Sequence, residues 1–184
     1  VPERPTGLVY AGRIAAYREL ETIAAASRLV DLPITLCGPA DQTWLTSFDP
    51  GRATVLGALP LDEAAALMSA AGLALVTHSD KWANHRLALP NKLFHAVSLG
   101  LPVVATDIGE LAKVVREHDL GTLYTPSDPE DLARAIRDVV ADFPRYVCNV
   151  ETARPALCWD ADAARLRAVY EKLAAAPAAD RGEG

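Results

Sequence analysis

Short apolar runs alternate along the chain with longer segments in which apolar residues recur every three or four positions. Leu8 to Ala11, Ile34 to Cys37, Thr54 to Leu56, Leu73 to Thr77 and Val103 to Thr106 are near-continuous apolar stretches. Strands buried on both faces read this way, and Thr122 to Tyr124 is a weaker sixth. Tyr17 to Leu29 places Leu20, Ile23, Ala24 and Ser27 at helical spacing, and Asp62 to Ala71 places Ala64, Leu67, Met68 and Ala71 on one stripe. Asn91 to Leu99 reads as a short helix with Leu93, Val97 and Phe94 inward and Gly100 where a left-handed cap belongs. Ser127 with Glu130 has the spacing of a capping box for a helix to about Asp142, with Leu132, Ile136 and Val139 or Val140 inward. Strand followed by helix, repeated, is the signature of βαβ units. The pattern predicts an α/β fold, a single Rossmann-like, doubly wound domain with a mainly parallel sheet of about six strands.

Past Phe143 and Pro144 the pattern weakens over Val147 to Ala156. It resumes as a helix from Asp160 to about Ala175 whose apolar face is Ala163, Leu166, Val169, Tyr170 and Leu173. The domain is expected to span residues 1–176, and residues 177–184, small and polar, are expected to be a disordered tail. With 184 residues, 51% of them hydrophobic, there is room for one full core but not for two catalytic domains. Twenty-four acidic against 18 basic residues give a net charge of -6, which argues against nucleic acid as a partner and leaves small anions open. No apolar run approaches the roughly 20 residues of a membrane span and no signal-peptide pattern opens the chain, so a cytoplasmic location is expected. In that compartment Cys37, Cys148 and Cys158, with no metal-ligand spacing, are expected as free thiols. Val1 in place of an initiator Met leads to the expectation of a piece of a longer protein.

In open parallel sheets ligands sit at the carboxyl ends of the strands, so the residues that follow each strand are where chemistry is sought. After the first strand come Gly12, Arg13 and, at the next helix start, Arg18. Close backbone approach, free amide donors and two guanidinium groups suit a diphosphate, although solvated surface arginines would read the same way. Gly38-Pro39 after the second strand is either a tight turn or a ligand-facing loop. The longest polar loop follows Thr77, with His78, Ser79, Asp80, Lys81, Trp82, Asn84, His85 and Arg86. His78 and His85 lie outside any recognised zinc spacing, and neither a nucleophile elbow, a Walker loop nor G-x-G-x-x-G occurs.

LVYAGRI (8–14) with Arg18, ITLCGPAD (34–41), VLGALPLDEAAALMSAAGLALVTHS (55–79), LPNKLFHAVSLGLPVVAT (89–106) and GELAKVVREHDLGTLYTPSDPEDLARAI (109–136) occur in that order. Together they resemble the donor-binding, C-terminal domain of GT4-like retaining glycosyltransferases of the GT-B fold. The resemblance implies a hexosyltransferase that moves a sugar from a UDP-sugar or GDP-sugar to an acceptor without a metal. It also implies an N-terminal acceptor-binding domain, absent from this chain, through which peripheral membrane association would run. Without that half the isolated chain is expected to be inactive. By the same resemblance Gly12, Arg13, Arg18, Asn91, Lys92 and Leu93 bind the donor diphosphate. Gly38, Leu59, Pro60, Leu61 and His95 frame nucleobase and ribose, and Ser79, Asn84, His85 and Arg86 form the donor-sugar loop.

The chain departs from the family where paired glutamates would stand, at Leu87 and His95. A neutral imidazole can accept one hydrogen bond and donate another but cannot give the two-oxygen contact of a carboxylate to ribose hydroxyls. A degenerate, non-catalytic binding or interaction module is therefore the alternative reading, and a sugar-nucleotide epimerase of related architecture a third.

Overall fold

The computed structural model describes residues 1–175, and the expected tail at 177–184 lies outside them. In chain order the elements are β1 (Gly7–Ala11), α1 (Leu20–Ala26), β2 (Ile34–Cys37), α2 (Gln42–Leu45), β3 (Thr54–Leu56), α3 (Leu61–Ala71) and β4 (Gly72–Val76). They continue as α4 (Ala83–Leu87), α5 (Asn91–Ser98), β5 (Val103–Thr106), α6 (Gly109–Glu117), β6 (Gly121–Tyr124), α7 (Pro129–Ala141), α8 (Phe143–Ala153) and α9 (Trp159–Ala175). The six strands form one sheet in the order β3-β2-β1-β4-β5-β6, every neighbouring pair parallel. This is the expected doubly wound α/β fold, with the sheet wholly rather than mainly parallel.

Alternation along the strands divides the core in two. Leu8, Tyr10, Leu36, Leu75 and Tyr124 point to the face covered by Leu20 and Ile23 of α1 and by Leu132, Ile136 and Val139 of α7. Val9, Cys37, Ala74, Val76 and Ala105 point to the other, under Met68 of α3, Leu93 and Val97 of α5, Leu111 of α6 and Val150 of α8. Each fully buried Leu or Ile contributes about 1.5–3 kcal/mol relative to exposure, so this two-sided burial dominates the fold's stability. Chain progression runs outward in one direction from β1 and in the other from β4. The switch point, where loops diverge and leave a crevice, therefore lies at the carboxyl ends of these two adjacent strands.

Five local expectations are corrected. The first helix starts at Leu20 rather than Tyr17, because Tyr17 and Glu19 take left-handed backbone, φ 62° and 61°, and cannot continue a right-handed turn. Ser127 does not cap α7. It too is left-handed, and Asp128, in extended backbone, accepts from the Asp131 amide instead. The weak segment before the last helix is the continuous helix α8, buried through Phe143, Tyr146, Val150 and Ala153. The stretch Ala83–Leu87, read as loop, is the short helix α4. The apolar side of α9 meets no core: Leu166, Val169, Tyr170 and Leu173 are exposed. Gly100, at φ 74°, does take the left-handed position expected after α5. Among the described residues no helix is long and apolar enough to cross a membrane, and the three cysteines are free thiols.

Candidate functional site

At the carboxyl ends of β1 and β2 the chain continues through glycine, Gly12 and Gly38. Gly12 donates its amide to the Cys37 carbonyl at 2.9 Å, and Gly38, at φ 142°, lies so close that a Cβ there would stand 2.0 Å from the Gly12 carbonyl oxygen. The loops after β1 and β2 thus touch backbone to backbone, which only glycine at position 38 permits. A Cβ at Gly12 would meet the Lys92 side chain at 2.5 Å, so Lys92 lies directly over this loop.

Lys92 comes from the first turn of α5, where the helix presents free amide donors and the positive end of its dipole. Its ammonium sits 5.1 Å from the centre of the Tyr10 ring, a cation-π contact. Burial, with the charge of Arg18 adding, brings its pKa down from 10.5 to about 8. No carboxylate offsets this: among the described residues the ion pairs involve neither Lys92 nor Arg18. Beneath it burial pushes the Tyr10 phenol up to about 12, with Arg18 pulling the other way, while its hydroxyl donates to the Arg13 carbonyl at 3.0 Å. Arg18 is held by its backbone, whose carbonyl accepts from the Thr77 hydroxyl at 3.1 Å. Arg13, by contrast, is exposed, and its charge does not figure in the shifts of Lys92, Tyr10 or His78. Of the expected basic pair, then, the fold joins Arg18 rather than Arg13 to the half-buried lysine.

The loop after β4 is stitched to this cluster by two histidines. His78 Nδ1 bonds the His85 carbonyl at 3.2 Å and His85 Nδ1 bonds the Ser79 carbonyl at 2.9 Å, with the rings 4.7 Å apart. Because carbonyls only accept, both Nδ1 atoms carry the proton, which leaves Nε2 of a neutral ring as an acceptor. Burial lowers the His78 pKa; the bond to His85 opposes this, and the charges of His85, Lys92 and Arg18 reinforce it. The His78 amide donates to the Thr106 hydroxyl at 2.9 Å, anchoring the loop to β5. Of the expected donor-sugar residues, Ser79 and His85 meet here, whereas Asn84 and Arg86 are exposed on α4. The Arg86 carbonyl abuts Gly109, where a Cβ would stand 1.8 Å away, so α4 is seated on the start of α6.

The residues expected at nucleobase and ribose are less gathered. Leu59 is half-buried, while Pro60 and Leu61, at the start of α3, are exposed. His95 is half-buried on α5, three residues past Lys92, and among the described residues its imidazole has no hydrogen-bond partner. Tyr10 and Thr77 carry no expected role from sequence, and His78, named in the polar loop, is not among the expected site residues. A tyrosine near the end of an otherwise aliphatic strand and a polar Thr-His pair at a strand's end were the available signals. Among the described residues no three His, Cys, Asp or Glu are grouped to hold a metal ion.

The arrangement is a half-buried cation beside a second cation at a strand edge that continues into glycine, which matches an anionic ligand chemically. Residues 5–142 match the family model described as glycosyl transferases group 1. Among solved structures, sucrose-phosphate synthase from Thermosynechococcus elongatus is similar, with TM-score 0.74 and 25% identity over 96% of this chain and 47% of that one. HepE of Anabaena, solved with UDP, has TM-score 0.68 and 20% identity over 84% of this chain and 44% of its own. WaaG, a glycosyltransferase involved in lipopolysaccharide biosynthesis, has TM-score 0.60 and 20% identity over 85% and 44%. The chain thus spans just under half the length of these structures. A comparison with curated proteins gives no significant match.

Proposed function

The chain belongs to the glycosyl transferases group 1 family, and from that premise we propose that it is the donor-binding, C-terminal domain of a GT4-like, retaining GT-B glycosyltransferase. In this reading it holds a UDP-sugar or GDP-sugar in the cytoplasm. The acceptor site lies on an N-terminal domain of a longer parent protein, and the isolated chain turns nothing over. The observation that carries the reading is Lys92, a lysine largely withdrawn from water beside Arg18 with no carboxylate partner among the described residues. A buried cation without a counter-ion is costly, and a bound diphosphate would offset that cost.

The chemistry follows from charge. As the bond between sugar and diphosphate breaks, negative charge grows on the departing phosphate. Lys92, Arg18 and the amides at the start of α5 are fixed donors that need no reorganisation when it does. Gly12 lets the phosphate approach the backbone, and Arg13, from the rim, adds longer-range attraction. Ser79 and His85 face the donor sugar in this reading, with Asn84 and Arg86 closing over it. Gly38, Leu59, Pro60 and Leu61 border the base, and His95 reaches the ribose. Catalysis in this scheme needs no metal.

One observation favours the degenerate alternative. His95 stands where the resemblance places a glutamate, so the ribose would lose its two-oxygen acceptor. Titrating UDP and GDP, with their glucose and mannose derivatives, into the folded protein by calorimetry tests both readings. The donor-domain reading expects one nucleotide to bind and Lys92→Met and Arg18→Ala to weaken it. Failure of every nucleotide to bind the folded wild type would overturn it.

A further inference from the structure

A cavity of about 590 Å³ opens at the entries of α1 and α7, on the sheet face opposite α5. Its volume falls in the range of about 300–1,000 Å³ typical of ligand pockets. Tyr17, Glu19, Glu21, Ser79, Lys81 and Ser127 line it. Four non-glycine residues among those described have left-handed backbone, and three of them, Tyr17, Glu19 and Ser127, line this one cavity. Such conformations persist only where the surroundings impose them. Here a long-range clasp does so. The Glu19 carboxylate, 6% exposed, accepts the Ser127 amide at 2.7 Å and the Thr22 hydroxyl at 3.2 Å, tying the entry of α1 to that of α7.

The lining discriminates among ligand classes. Two carboxylates against one lysine disfavour a phosphate, and the ammonium of that lysine rests over an aromatic ring, Lys81 Nζ standing 4.8 Å from the centre of Tyr17. The apolar part of the lining, Ala16, Ala25 and Pro129, is interrupted by these charges and hydroxyls, which does not suit a lipid chain. What remains is an aromatic platform: Tyr17 is 55% exposed and Trp82, 52% exposed, meets it edge-on with centroids 6.3 Å apart. Large aromatic surfaces left in water beside hydroxyl and carboxylate groups match a ligand with an apolar C–H face and a ring of hydroxyls. We infer that this cavity is a carbohydrate subsite, taking one neutral pyranose of an acceptor whose main site lies on the N-terminal domain, while the nucleotide occupies the crevice across the sheet. The inference rests on the transferase reading for the word acceptor. Ser79, in the loop that borders both sites, would place the two sugars against each other.

The test uses methyl α-glucoside, methyl α-galactoside and methyl α-mannoside as probes, followed by backbone amide shifts of the full chain, with UDP titrated in parallel. At least one glycoside is expected to move the amides of Tyr17, Glu21, Lys81 and Ser127 saturably, and to do so still in saturating UDP-glucose. Tyr17→Asn keeps a residue tolerant of left-handed backbone while removing the ring, and Glu21→Ala alters an exposed helix position. Each is expected to weaken the glycoside about tenfold or more and to leave UDP affinity unchanged. Binding of UDP with no glycoside response would overturn the subsite. Displacement of the glycoside by UDP-glucose but not by UDP would overturn its acceptor role. A glycoside response without nucleotide binding would keep the subsite and remove the transferase reading instead.

Discussion

Replacing Lys92 by Met separates what this side chain costs the fold from what it contributes to a ligand. In the free protein burial and Arg18 move its pKa from 10.5 to about 8. At about 1.36 kcal/mol per unit that is roughly 3 kcal/mol of destabilisation by the charged form. The cation-π contact with Tyr10 returns on the order of 1 kcal/mol. Lys92→Met, of similar length and apolar, is therefore expected to be more stable than the wild type by roughly 2 kcal/mol at pH 7. The sign with pH is defined. Because the folded pKa lies below the unfolded one, the folded state holds fewer protons between about pH 8 and 10.5, and wild-type stability gains through that window. The advantage of the variant is full below about pH 8 and gone above 10.5. Urea denaturation of both proteins across this range measures it, and taking the difference cancels other titrating groups. In the same preparations nucleotide affinity is expected to fall about ten- to a hundredfold in Lys92→Met, and in the wild type to decline as pH rises through about 8. A variant less stable than wild type at pH 7, or a stability gap that does not change with pH, would refute the electrostatic argument. Unchanged nucleotide affinity would refute the role.

Tyr124→Phe is expected to raise stability by about 1 kcal/mol, because the Tyr124 hydroxyl is wholly buried without a hydrogen-bond partner; a loss of stability in urea would contradict this. Gly38→Ala forces a Cβ to 2.0 Å from the Gly12 carbonyl at φ 142°, and more than about 2 kcal/mol of stability is expected to be lost, read as a lowered denaturation midpoint. His95→Glu is expected to strengthen nucleotide binding and His95→Ala to weaken it, whereas equal affinities by calorimetry in three folded proteins would remove His95 from the site. Under native conditions alkylation is expected to modify exposed Cys148 first and Cys37 last, since burial both shields the Cys37 thiol and pushes its pKa up; peptide mass mapping over time gives the order.

The strands and their parallel, doubly wound arrangement were legible in the sequence, because a strand buried on both faces must be apolar along its length. Ile34–Cys37, Thr54–Leu56 and Val103–Thr106 lie where the apolar runs end. The helices that cover the sheet were legible for the same reason, since their inward stripes obey a period set by neighbours in sequence. The left-handed entry to α1 was not, because Tyr17 and Glu19 take that conformation against their own preference, to let a carboxylate reach a backbone amide 108 positions away. That bond also displaced the α7 cap from Ser127 to Asp128. The candidate site divides along the same line. Gly12 and Arg18 stand out by position and charge, and Lys92 through the family resemblance. That Arg18 rather than Arg13 shares the buried space with Lys92, that Tyr10 lies beneath them, and that His78 and His85 lock to each other's loop depend on which strand ends become neighbours. A side chain's type and spacing are local properties of the sequence, but its desolvation and the charges it faces are set by residues distant along the chain, and only the packed tertiary structure brings those together.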